Sequence, residues 1–153
     1  MPAETQIANL LYRYAECIDG GDLAAAAALF EHARIRIGAD ETIDAARLLD
    51  IWKSLIVLYP DGTPRTKHLV SNPIVEVDED AGTARCRSYY TVLQQTEELP
   101  LQPIVAGRYH DHFERVDGQW RFSYRDLTLI DMVGNLSHHL RYPITPVPPG
   151  PGA

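Results

Sequence analysis

The chain has 153 residues, 45% of them hydrophobic, enough to bury roughly 70% of its unfolded surface around one core with an internal cavity. Its formal net charge of −7 argues against nucleic acid and anionic membrane surfaces as partners. Cys17 and Cys86 are too few and too unpatterned for a disulfide framework or a zinc site, and no apolar run approaches the roughly 20 residues of a membrane span.

Ile7, Leu10, Leu11, Tyr14 and Ile18 recur at helical spacing and Gly20-Gly21 stops the pattern, which predicts a helix from about Thr5 to Asp19. Asp22 is placed to cap a short Ala-rich helix, Leu23 to Phe30. A short strand is expected at Arg34 to Gly38. Thr42 is the expected cap of a third helix through Ala45, Ala46, Leu49, Trp52, Ile56 and Tyr59, ending before Pro60-Asp61-Gly62.

Downstream the period changes from 3.6 to 2. Strands are expected at Lys67–Val77, Thr83–Gln95, Pro103–Val116 and Gln119–Leu129, with Asp78–Gly82 as the first turn. Asp117-Gly118 supplies the positive-φ pair of a tight hairpin. On the strand before it, Tyr109, Asp111 and Phe113 share the face expected to line a pocket, and Arg108, His110 and His112 share the other. His110 and His112 have a spacing seen in metal sites, but Arg108 on the same face would repel a cation and no third ligand lies nearby. A contact between subunits is the expected role of that face. His32, His138 and His139 are expected at the surface.

Asn135–Leu140 reads as a last helical turn. From Tyr142 the sequence is Pro-rich and suits an extended tail or a strap over a neighbour. Residues 1–141 are thus expected to form one domain and 142–153 a tail. Helices first and meandering strands after predict an α+β fold: a cone-like, curved, mixed but mostly antiparallel sheet wrapped around the N-terminal helices.

Three pieces of sequence resemble the SnoaL-like group of the nuclear transport factor 2-like (cystatin-like) superfamily, which includes scytalone dehydratase, bile-acid 7α-dehydratase and hexachlorocyclohexane dehydrochlorinase. They are Tyr12 with Asp19-Gly20-Gly21-Asp22, Thr66-Lys67-His68, and G-x-Y-x-x-x-x-E-R-x-D-G-x-W-x-F from Gly107 to Phe122. The similarity spans roughly residues 5–140. It implies a catalytic pair at Asp19 and His68, with Tyr14 and Arg125 facing the site and Asp111 at a pocket-facing strand position. The second histidine and the tyrosine of scytalone dehydratase would fall near Gln94 and Gly38, so scytalone itself is not the expected substrate.

The residues can be weighed on their own chemistry. An imidazole accepts a proton near neutral pH when a carboxylate fixes its tautomer. Asp19 could do this for His68; equally, Asp19 could cap the Gly-Gly turn while His68 stays at the surface beside Lys67. Tyr14 lies on the apolar stripe of its helix and suits the core, or it could donate a hydrogen bond to a developing oxyanion. Arg125 and Asp111 could form a buried or half-buried pair at the pocket mouth, or Arg125 could hold an acidic or phenolic group. Tyr109, Phe113 and Trp52 complete the expected substrate-binding set.

The expectation is a cofactor-independent lyase (dehydratase-like) or isomerase acting on a small hydrophobic, cyclic hydroxy-carbonyl or phenolic compound. His68, Asp19 and Tyr14 are its catalytic residues and no metal takes part. The alternatives are a non-catalytic small-ligand carrier, an accessory subunit like the β subunit of aromatic-ring dioxygenases, or a polyketide cyclase using Asp111. A cytoplasmic homo-oligomer, dimer or trimer, without nucleic-acid or membrane partners is expected.

Overall fold

The computed structural model describes residues 1–144. Helix α1 (Ala3–Asp19) buries Ile7, Leu10, Leu11, Tyr14, Ala15 and Ile18 along one stripe. Helix α2 (Leu23–Ala28) is capped by Asp22, whose side chain accepts from the Ala25 N–H. The helix ends at Ala28, two residues before the expected end at Phe30.

Strand β1 (Arg34–Gly38) is followed by a short β2 (Glu41–Ile43) that sequence periodicity did not reveal. Thr42 therefore lies in a strand. The cap of helix α3 (Ala45–Leu55) is Asp44, which accepts from the Arg47 N–H. An Asp at that position satisfies an otherwise orphaned backbone donor as well as Thr does. The helix also stops earlier than expected, because Ile56 turns extended and pairs with Leu140.

Strands β3 (Thr66–Asp78), β4 (Thr83–Gln94), β5 (Gln102–Val116) and β6 (Gln119–Asp126) form an antiparallel meander. Asp117 and Gly118 both take positive φ at the β5–β6 turn, as a tight hairpin demands. The fourth predicted strand ends at Asp126 rather than Leu129. There the chain breaks step, and β7 (Ile130–Val133) pairs with β5 instead. The sheet order is β2-β1-β6-β5-β4-β3, with β1 parallel to β6 and the other pairs antiparallel.

The curved sheet wraps α1, whose apolar stripe faces the inward residues of β3, β5 and β6. A second, smaller cluster of Val92, Leu99, Ile104, Val105 and Leu136 closes the far end, with Ile144 packed on it. The single turn at Leu136–Leu140 is present as predicted, closed by His139 N–H and Leu140 N–H to the Leu136 carbonyl. Of the expected tail, 142–153, residues 145–153, and with them the expected strap role, lie outside the described residues.

Candidate functional site

Asp19 ends α1 and His68 opens the inward face of β3, and the curvature of the sheet brings the two together. The His68 Nδ1 lies 2.6 Å from Asp19 Oδ1. The His68 backbone N–H donates to Oδ2 at 2.7 Å, and Thr66 Oγ1 donates to Oδ1 at 2.9 Å. The two side chains are only 7% and 9% exposed, so solvent does not compete for these contacts. A carboxylate can only accept, so the shared proton sits on Nδ1 and the Nε2 lone pair is left as the basic position.

Burial pushes the Asp19 carboxyl up, but its hydrogen bonds from His68 and Thr66 and the His68 charge outweigh that. Its pKa falls below the ordinary carboxylate range.

Tyr14, one turn before Asp19, stands edge-on to the His68 ring with centroids 6.1 Å apart. It also packs against Trp52 (6.1 Å), Tyr109 (5.9 Å) and Phe30 (5.7 Å). Burial raises the pKa of its phenol against the pull of Arg125, so it stays a neutral donor. Tyr109 stacks on Tyr90 at 4.4 Å, and Phe113 packs on Phe122 at 4.7 Å inside the aromatic core.

Arg125 and Asp111 do form a buried pair, though away from a pocket mouth. They pair at the closed floor of the cone through two contacts of 2.7 and 3.0 Å, with side chains 1% and 0% exposed. The guanidinium lies 3.8 Å from the Tyr109 ring centroid and 4.5 Å from that of Tyr14, a cation–π stack that replaces lost hydration. Burial pushes the Asp111 carboxyl up against the pull of Arg125, while at Arg125 burial is outweighed by the Asp111 carboxylate, which raises the guanidinium pKa. Two parallel N–H···O contacts need both carboxylate oxygens as acceptors, so we assign the pair as ionised.

Two hollows adjoin this cluster. A groove of about 660 Å³ runs between α1 and β3, lined by Tyr12, Ala15, Lys67 and Val70 and reaching Asp19 and His68. A more apolar cleft of about 380 Å³ opens at the other end, lined by Leu48, Ile51, Trp52, Leu127, Leu140 and Ile144. Trp52 and Tyr14 stand in ring-to-ring sequence between that cleft and His68.

One residue of this neighbourhood escaped sequence reasoning. His139, expected at the surface, is buried, because the Leu136–Leu140 turn folds inward over the end of α3. Two adjacent histidines after a Gly-Asn stretch carry no periodic signal that tells an inward ring from an outward one. His110 and His112 are half-buried on the outer face, with His112 against Tyr124 at 4.9 Å. Among the described residues no cluster of three or more His, Cys, Asp or Glu is arranged to hold a metal. No described helix is long and apolar enough to cross a membrane.

Comparison with solved structures places this architecture. A Mycobacterium tuberculosis protein of unknown function is 25% identical, with a TM-score of 0.65 over 84% of this chain and 72% of its own. A candidate scytalone dehydratase from Novosphingobium aromaticivorans is 22% identical, with a TM-score of 0.69 over 97% and 93% of the two chains. The β subunit of a candidate aromatic-ring-hydroxylating dioxygenase from the same organism is 18% identical, with a TM-score of 0.65 over 85% and 90%. No curated protein matches the sequence. The SnoaL-like domain model matches residues 1–126, and with a helix-wrapped, mostly antiparallel sheet shared with NTF2-like and cystatin-like neighbours, the chain belongs to the SnoaL-like family.

Proposed function

We propose that this protein is a cofactor-independent lyase, dehydratase-like, or isomerase that takes a proton from carbon next to a carbonyl in a small, hydrophobic, cyclic compound. One observation carries the reading: a buried Asp19 carboxylate held by three donors, one of them the His68 ring. Such a carboxylate fixes the tautomer that leaves Nε2 free to accept a proton, and it stabilises the imidazolium that forms. A carboxylate that only capped the Gly20-Gly21 turn would have no use for the ring. Tyr14 supplies a neutral O–H beside the ring for the developing charge. Trp52, Tyr14 and the apolar cleft give a flat hydrophobic molecule its surface, with Tyr109 behind them. Arg125 and Asp111 brace the floor and orient Tyr14 and Tyr109.

The test is exchange of the α-hydrogens of 2-tetralone for deuterium, followed by proton NMR. Asp19→Asn and His68→Ala are each expected to lose at least about a hundredfold in rate while circular dichroism stays unchanged. Full exchange activity in both variants would remove the dyad from the mechanism.

A second reading, an accessory subunit of a ring-hydroxylating dioxygenase, is favoured by the filled cone floor, where Arg125, Phe30, Phe113 and Phe122 leave almost no exposed surface. Co-purification with a large iron–sulfur subunit would support it; a lone homo-oligomer active on 2-tetralone would exclude it. We also propose that the chain self-associates through its outer sheet face.

A further inference from the structure

His139 is 7% exposed, and its Nδ1 is buried without a hydrogen-bond partner. The segment that carries it is firmly held. The Gln94 side chain and the Tyr59 hydroxyl both donate to the His138 carbonyl. The Val57 N–H donates to the His139 carbonyl, and the Arg141 N–H to the Leu55 carbonyl. Gln94 pairs in register with Thr66, and Thr66 clamps Asp19, so the same strand pair anchors both histidines. Leu140, the next residue, packs into the core that contains Tyr14 and Trp52 and lines the apolar cleft.

A buried imidazole nitrogen without a partner costs stability, about 1–3 kcal/mol for a typical polar group. Folded chains rarely leave such a group unmet, and a catalytic or binding role is one of the reasons for which they do. The orphaned nitrogen, the pinned backbone and the anchorage to the strand pair that also clamps Asp19 together point to an external acceptor.

We propose that His139 is a second substrate-contacting imidazole, which donates a hydrogen bond from Nδ1–H to the carbonyl oxygen of the molecule deprotonated by His68. This rests on the reading of His68 as the base. In the step, the C–H bond breaks and its proton moves to His68 Nε2. The C–H electron pair becomes the enolate C=C bond, and the carbonyl π pair settles on oxygen, where the His139 N–H meets the new charge. No oxidant or reductant is needed. A neutral imidazole suits this role because it offers a proton in a hydrogen bond without giving it away.

Two variants and one ring signal test the proposal. His139→Phe keeps the ring volume and removes the donor; His139→Gln keeps an N–H donor. In the 2-tetralone exchange assay, His139→Phe is expected to lower kcat by roughly 10²-fold with KM little changed and the melting temperature held. His139→Gln should retain most of the activity. In the protein with 15N-labelled histidine, the His139 ring signal, assigned by its absence in His139→Gln, should shift with 2-tetralone and not with tetralin, which lacks the oxygen. A wild-type rate in His139→Phe, or a ring signal that 2-tetralone leaves in place, overturns the proposal. If the wild-type protein exchanges no hydrogen, the base assignment of His68 fails, and the ring signal alone decides on His139.

Discussion

Asp19 has three donors converging on two oxygens; Asp61 and Asp126 also collect three, and what separates Asp19 from them is that one of its donors is an imidazole ring. Each charge-assisted bond of this kind contributes about 1.5–3 kcal/mol, so the carboxylate stays ionised and the His68 ring stays oriented through ordinary pH. His139 responds to pH in a different window. Burial depresses its pKa to about 4, with the His68 charge adding to the effect and Asp19 opposing it. The unfolded chain binds this proton near the free imidazole value of about 6.5, and the folded chain resists it down to about 4. The stabilisation is therefore fully present above that window and is lost as pH falls through it. Urea unfolding should show about 3 kcal/mol of stability lost to this group between neutrality and acid conditions, a loss absent in His139→Gln. Equal losses in the two proteins would show that the ring is solvated. The Asp19 contribution fades only at lower pH, because its folded pKa lies beneath the ordinary carboxylate value. Neither behaviour follows from residue type alone: His138 and His139 are chemically identical neighbours, and only the inward fold of one turn distinguishes them.

At the scale of elements, close approach decides the geometry of β5. A Cβ on Gly107 would lie 2.4 Å from the Leu129 carbonyl oxygen and 2.6 Å from the Tyr90 hydroxyl. The missing side chain thus lets the β6–β7 connection cross β5 and lets Tyr90 lie flat on Tyr109. Gly107→Ala is expected to destabilise the fold by about 1–3 kcal/mol, read as a lowered urea midpoint. An unchanged midpoint would mean that the crossing can shift at little cost. This crossing also explains why the last strand was mispredicted. The alternation from Gln119 to Leu129 continues past Asp126, but Asp126 accepts from the Thr128 backbone and hydroxyl. That local bond breaks the ladder and redirects the chain to β5. The helices were more legible, since apolar spacing and the Asp22 cap are local signals. The Asp44 cap was hidden behind an equally plausible Thr42, and the difference was made by β2 pairing with β1.

At the scale of the molecule, the outer sheet face is unusually apolar along one line. Leu69, Thr91, Ala106 and Met132 stand opposite one another in register across β3, β4, β5 and β7. Leu69 is 50% exposed and Met132 68% exposed, and Tyr89, at 54%, lies beside the row. A second copy of this face is the simplest cover for such a row. The expected result is a homo-oligomer by sedimentation equilibrium, dissociated by Leu69→Glu combined with Met132→Glu. A wild-type monomer would remove the claim.

From the sequence come the elements of the cone and the types of its chemical groups. Helical and strand periods, the Asp117-Gly118 turn and the capping Asp22 act over a few residues, and local sterics and hydrogen bonding determine them. What lies close in space was settled by the wrapping of the sheet. It carried Asp19 to His68 across 49 positions, drew Arg125 and Asp111 down to the floor, and folded His139 inward over the end of α3. Such contacts depend on sheet curvature, strand register and the path of the chain after β6. Many distant residues set these jointly, so no local stretch of the chain contains them.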